Sequence, residues 1–187
     1  MDNETENTQQ QEHGLIRLKV KVVARDADGT IVGQTEMDDL STKALAQLIQ
    51  NNILDSAQTI TDTTDTGRAL TVNSAATVPM IVAGTGSTAA AFTDYALTAI
   101  ATGGTYGGSN SSGNQAATVN AISSNTFTVT GTITNSSGSA ITYAEVGMAC
   151  TVSTYTFLLA HDIPNGTTGY TVSNGGTLAV TYTATFT

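Results

Sequence analysis

Two stretches, NTFTVTGTIT (125–134) and TLAVTYTATFT (177–187), put threonine at nearly every second position. Successive side chains of a strand point to opposite faces, so this spacing makes one apolar face and one hydroxyl face. In the first stretch Phe127, Val129, Gly131 and Ile133 point inward, and Thr126, Thr128, Thr130, Thr132 and Thr134 outward. In the second, Leu178, Val180, Tyr182, Ala184 and Phe186 oppose Thr177, Ala179, Thr181, Thr183, Thr185 and Thr187. GLIRLKVKVVAR near the start alternates in the same way, with Ile16, Leu18, Val20, Val22 and Ala24 against Arg17, Lys19, Lys21 and Arg25. Such segments each need a covering layer for one face. They predict sheets packed on sheets.

The turn signals fall between them. Asp26-Ala27-Asp28-Gly29 links the basic strand to TIVGQTEM, which predicts a hairpin. This D-x-D-G lacks the remaining ligand positions and closing Glu of a calcium loop, so a turn is the better reading. LTVN, ATVPMIVAG, AITYAEVGMACTV and TYTFLLAHDI read as further short strands, Pro79 suiting an edge or a strand start. SAQTITDTTDTGRAL reads as a polar connection. A single helix is predicted at about 42–54, with Ser41 as N-cap and Leu45, Leu48, Ile49 and Ile53 as its apolar stripe. The fold class is therefore mainly β, an antiparallel β-sandwich with one short α-helix. Residues 1–13 read as a flexible N-terminal arm and 14–187 as one domain. Within it, five glycines among small polar residues predict a flexible Gly/Ser loop at 101–117, with Tyr106 inside it.

Charge excludes several functions. The chain carries 15 acids and 6 cations for a net charge of −9, and no Lys or Arg follows Arg68. Nucleic-acid binding rests on Lys and Arg at phosphates, which two-thirds of this chain cannot supply. No stretch approaches the roughly 20 apolar residues of a membrane span, and MDNETENTQQQEH has no hydrophobic segment of a signal peptide. The one cysteine, Cys150, sits in AEVGMACTV and reads as a small core residue.

Catalytic motifs are not assembled in the sequence. There is no G-x-S-x-G, and Gly84-Thr85-Gly86 is not followed by the Lys-Ser/Thr and helix of a phosphate loop, so it reads as a turn. His161-Asp162 lacks the other ligands of a metal pair, and His161 reads as a surface or turn-proximal histidine. No enzyme activity, metal or cofactor is expected. Glu145 is the distinctive residue, the one charge in its strand. Period-two counting puts it on the face of Ile141 and Tyr143, where a bare carboxylate costs several kcal/mol. Its partner must be a residue of the N-terminal third, backbone donors or another chain. The row Arg17, Lys19, Lys21 and Arg25 reads either as cross-strand partner of Glu36, Asp38 and Asp39 or as a stripe that docks an acidic neighbour.

The order of elements in the second half resembles that of small bacteriophage virion proteins. MIVAGTGSTAAAFTDYALTAI resembles their strand, glycine turn and D-x-A-L segment. ITNSSGSAITYAEVGMAC and TFLLAHDI resemble their I-x-E-V-G-L and L-h-A-R-D strands. NGGTLAVTYTATF is similar to their closing G-G-T-L-x-V-T-Y-T strand, and the first two elements are also similar to the N-terminal attachment domain of phage tail fibres. Met148 stands where leucine is usual and His161 where arginine is usual, and no repetitive fibre shaft follows. The resemblance implies a non-enzymatic structural component located in the virion, made in the host cytoplasm without a signal peptide. That component is a capsid decoration or head-fibre protein, or a tail, neck or baseplate subunit. Its partners would be copies of itself and other virion proteins, met through the arm, the loop and the inter-subunit contacts Arg17, Lys19, Lys21, Arg25, Tyr106 and Glu145. The rival reading is a carbohydrate-binding or adhesin-like surface module that takes a host-surface glycan on Tyr106.

Overall fold

A computed structural model describes residues 16–39, 41–53, 57–70, 76–101, 112–166 and 168–186. The expected arm (1–13) and most of the expected loop, Tyr106 included, lie outside the described residues.

The alternating segments form the strands their periodicity predicts. β1 (Ile16–Arg25) buries Val20, Val22 and Ala24 and exposes its four cations. The chain turns at Gly29, whose φ of 88° suits glycine, and the Gly29 N–H donates to Asp26 O at 2.9 Å. The Asp26 carboxylate accepts from the Ser173 N–H and hydroxyl, so it anchors the hairpin. β2 (Ile31–Asp38) returns antiparallel to β1.

α1 (Lys43–Ile53) is the one helix among the described residues. Ala44 and Leu48 are buried, and Leu45 packs against the same core. Ser41 is not its cap. Ser41 forms an isolated bridge with Ala160, and the residue before the helix is Thr42, whose hydroxyl donates to Leu158 O. The expected polar connection is instead a hairpin of β3 (Gln58–Thr61) and β4 (Gly67–Leu70). Its turn is organised by Asp62, which accepts from the Thr64 and Thr66 N–H groups and the Thr64 hydroxyl, and from Arg68 Nε at 2.6 Å. Burial raises the Asp62 carboxyl, but these donors outweigh it and hold it at about 2. Ile60 and Leu70 carry the hairpin into the core.

The remaining strands are β5 (Ala76–Gly84), β6 (Asn114–Ala116), β7 (Thr118–Val119), β8 (Thr126–Thr134), β9 (Ile141–Tyr143), β10 (Glu145–Val152), β11 (Tyr155–Asp162), β12 (Tyr170–Val172) and β13 (Thr177–Phe186). A five-stranded sheet runs β2-β1-β13-β8-β7 and a four-stranded sheet runs β11-β10-β5-β6, with β12-β9 and β3-β4 as small additions. All strand pairings are antiparallel. The two large sheets share one core, to which β1, β8 and β13 give Val22, Ile133 and Val180, and β5, β10 and β11 give Ile81, Val146 and Phe157. The fold is sandwich-like, as the alternation predicts.

Two local expectations fail. Asn114–Ala116, inside the expected loop, is strand β6 on β5. Pro79 lies in an interior strand rather than at an edge, and β10 shifts register between Cys150 and Thr151 where it passes Pro79. That irregularity accommodates a residue with no N–H to donate. Cys150 is a free, buried thiol in the core as expected, and burial pushes it up to about 12.

The four-stranded sheet is covered on both faces. Met80, Val82, Ala149 and Leu158 form a second cluster with Leu97, away from the main core. Leu97 belongs to the irregular stretch between β5 and β6, which therefore acts as a lining for the sheet's outer face.

β2 also packs against β12. A Cβ on Gly33 would stand 2.2 and 2.3 Å from Cδ1 and Cε1 of Tyr170. Gly33→Ala should therefore lower the unfolding free energy by about 1–3 kcal/mol in urea denaturation. Combined with Tyr170→Ala, its added cost should largely vanish, because the clash is with the ring.

Candidate functional site

The four cations of β1 form an exposed row interrupted by half-buried Val23. Lys19 stands opposite Asp38 and Lys21 opposite Glu36, and Lys19 Nζ lies 3.9 Å from Glu36 Oε1 with both side chains more than half exposed. Arg25 donates to Gly29 O at 3.0 Å. Exposed pairs of this kind contribute little to stability.

Asp39 does not join that row. Both its carboxyl oxygens are buried and have no hydrogen-bond donor among the described residues, and the antiparallel Ser41–Ala160 bridge sets Asp39, two residues before Ser41, across from Asp162, two residues after Ala160. Asp162 Oδ2 accepts from the Tyr182 hydroxyl at 3.0 Å. Burial, then the charge of Asp162, raises the Asp39 carboxyl to about 9.

Glu145, expected at an inter-subunit contact, is instead buried within the chain. Its side chain is 0% exposed. Pairing breaks at Ala144, where β9 leaves for β12 and β10 joins β5, so counting by twos across the break puts Glu145 on the wrong face. Ile141 and Tyr143 enter the main core. Glu145 instead turns toward the outer lining. Its Oε1 accepts from the Gly86 N–H at 3.1 Å and the Ala99 N–H at 2.7 Å, and its Oε2 from the Thr98 N–H at 2.9 Å. Gly84-Thr85-Gly86 is thus a turn, as expected, and its second glycine helps to cradle an anion that the chain itself supplies. A Cβ on Gly86 would lie 2.6 Å from Glu145 Oε1, so only glycine fits.

The fourth partner is His161, whose Nε2 lies 3.1 Å from Glu145 Oε2. His161 is 2% exposed, which overturns its reading as a surface residue. Its Nδ1 lies 2.6 Å from Asp94 Oδ2. Two ring nitrogens facing two carboxylates require two donors, so the ring is an imidazolium. Burial pulls its pKa down, but the bonds to Glu145 and Asp94 outweigh burial and raise it. Burial likewise pushes Glu145 up, while His161 and the Ala99 and Thr98 N–H groups hold it below the usual value. Asp94 also accepts from the Ala91 N–H at 2.7 Å. The imidazolium therefore rivets the 85–100 stretch to β10 and β11.

Both His161 ring nitrogens are taken up in holding the carboxylates. General-base catalysis needs an imidazole nitrogen with a free lone pair, and both nitrogens are occupied. The apolar cavities of about 240 and 440 Å³ beside α1 are lined by Leu45, Ile49, Phe127 and Met148 among others, and by none of the three charged residues. Among the described residues, no group of three or more His, Cys, Asp and Glu is arranged to hold a metal ion. The residue that sequence reasoning missed is Asp94. It sits within the D-x-A-L segment, and only its isolation as one of three charges after Arg68 marked it.

Removing the carboxylate by Glu145→Ala leaves a buried charge and three N–H groups unpaired, at a cost of about 3–5 kcal/mol. His161, with its raised pKa, stabilises fully below about 6.5 and less as pH rises through its folded value. Glu145, with its lowered pKa, stabilises fully above about 4.5 and less as pH falls through its folded value. The stability gap between wild type and Glu145→Ala, measured by denaturation across pH, should peak between those two limits and narrow on either side. A search of protein-family models, of curated proteins and of solved structures finds no match to this chain.

Proposed function

We propose that this chain is a non-enzymatic structural subunit of a bacteriophage particle, either a capsid decoration or head-fibre protein or a tail, neck or baseplate component. It works by contacts with copies of itself and with other virion proteins. The observation that carries this reading is the outer face of the five-stranded sheet. There Thr177, Thr181, Thr183 and Thr185 of β13 stand opposite Thr134, Thr130, Thr128 and Thr126 of β8. On these two strands that face has no charged residue, and the cation row of β1 flanks it. Threonine suits the pleated surface, and its hydroxyls can meet a neighbouring subunit without the desolvation cost of charge. The resemblance of the second half to small virion proteins supports the same reading. No helix among the described residues is long and apolar enough to cross a membrane.

A specific observation favours a second reading, the carbohydrate-binding or adhesin-like module. Phe92 and Tyr95 are 48% and 38% exposed, and both lie on the stretch that His161 holds in place. Fixed, exposed aromatics are suited to stacking on sugar rings.

Gold-tagged antibody against the chain, imaged on intact particles of the source lysate, should label particles, over the shell for a decoration protein and over the tail for a tail component. Bare particles beside labelled host cells would sink the virion reading. In that case Phe92→Ala with Tyr95→Ala should abolish cell binding.

A further inference from the structure

We propose that Asp39 and Asp162 form a proton-sharing clasp that fastens the end of β2 to edge strand β11, and that loss of its proton loosens this junction. The inference concerns the fold and stands whether or not the chain belongs to a particle.

The junction is where the chain leaves one large sheet and meets the other. The Asp39 N–H donates to Leu18 O of β1 at 3.0 Å. Ser41 bridges Ala160, and the Thr42 N–H donates to Leu159 O at 2.9 Å, so these residues already pair with β11. β11 is the outermost strand of the four-stranded sheet, and its outer edge is covered here. An uncovered edge is a template for pairing with another chain.

The carboxyl pair decides how firmly this cover is held. Two ionised carboxylates only accept hydrogen bonds and repel each other, whereas one shared proton makes them donor and acceptor. That proton gives a partner to one of the two buried Asp39 oxygens, neither of which has another donor among the described residues. Among the described residues, the neighbouring elements present these groups. From β11 comes Asp162 itself, and its neighbour His161 faces the opposite side toward Glu145. From β13 comes Tyr182, whose hydroxyl donates to Asp162 and whose own pKa is raised by burial, then by Asp162 and Asp39. From β10 comes apolar Val146, opposite Asp162. On β1 and β2, Lys19 is exposed beside Glu36, and Asp38 is exposed opposite Lys19. On α1, Lys43 is exposed.

The sign follows from the two states. Asp39 keeps its proton up to about pH 9 in the closed junction and returns toward 3.8 when the junction opens. Opening therefore releases a proton, becomes easier as pH rises between those values and levels off above them. The clasp is firm in acid and loose in alkali.

Hydrogen exchange of the full chain, followed by mass spectrometry from pH 6 to about 9 and corrected for intrinsic rates, tests this. Peptides covering Asp39–Thr42 and Phe157–Asp162 should lose protection with rising pH, by up to about tenfold per unit. A β1–β13 control peptide should not follow. Asp39→Asn, which keeps a donor without a titrating proton, should retain the protection and flatten its slope. Flat wild-type protection, an unchanged slope in Asp39→Asn, or equal loss in the control peptide would each overturn the proposal. So would restoration of protection at pH 9 by added calcium, which would make the pair a cation site. Should the variant not fold, carboxyl carbon shifts of the wild type decide. One aspartate titrating near 9 supports the clasp, and every aspartate titrating below about 6 overturns it.

Discussion

Burying the Glu145 carboxylate against the four-stranded sheet obliges the chain to bring donors to it, and much of the architecture answers that demand. Backbone N–H groups of Gly86, Thr98 and Ala99 reach it from both ends of an otherwise irregular stretch. His161 reaches it from the adjacent strand, and carries Asp94 with it. An isolated charge in this position costs several kcal/mol, while the complete set makes the charge a fixed point. The 85–100 stretch has little regular structure of its own, yet it packs Leu97 onto Leu158 and Ala149. Apolar contact and ionic rivet act on the same residues. Each makes the other more effective, since the lining excludes water from the charges.

The dipeptide His161-Asp162 shows how one strand serves two interiors. Adjacent residues of a strand face opposite ways, so His161 meets the outer lining while Asp162 meets Tyr182 within the sandwich. Both positions are acidic environments handled by protons, one as an imidazolium between carboxylates and one as a carboxyl pair. A chain without Lys or Arg beyond Arg68 has no permanently charged cation in its second half to set against its own buried acids. Histidine and shared protons take that place.

How much of this was legible in the sequence depends on the range of the interaction. β1, β8 and β13 could be read because each carries its own two-residue period, and the outward threonines of β8 and β13 stand in register beside the cations of β1. The β3–β4 hairpin could not, because its strands carry few apolar residues and its turn is made by the single carboxylate of Asp62. Pro79 misled because a proline can be tolerated in an interior strand if the neighbour shifts register. Glu145 could be recognised as needing partners, and backbone donors were among those foreseen. Which donors could not be foreseen, because Gly86 and Thr98 lie 59 and 47 residues away and contribute backbone rather than side chains. His161 was misplaced for the same reason: its environment is built by Asp94, 67 residues distant.

The pairing of the first and last described strands has a consequence for the order in which the sheet is assembled. β13 is the middle strand of its sheet, with β1 on one side and β8 on the other, and Ile16 stands opposite Phe186. During synthesis from the N-terminus, β1 and β8 both emerge before the strand that joins them. Until β13 is threaded between them they share no ladder, and the loop to be closed spans almost the whole described chain, a slow and entropically costly step. The threonine rows on β8 and β13 come into register only at that moment. The hydroxyl face is thus completed only after β8 has waited for β13, the latest of the described strands to emerge.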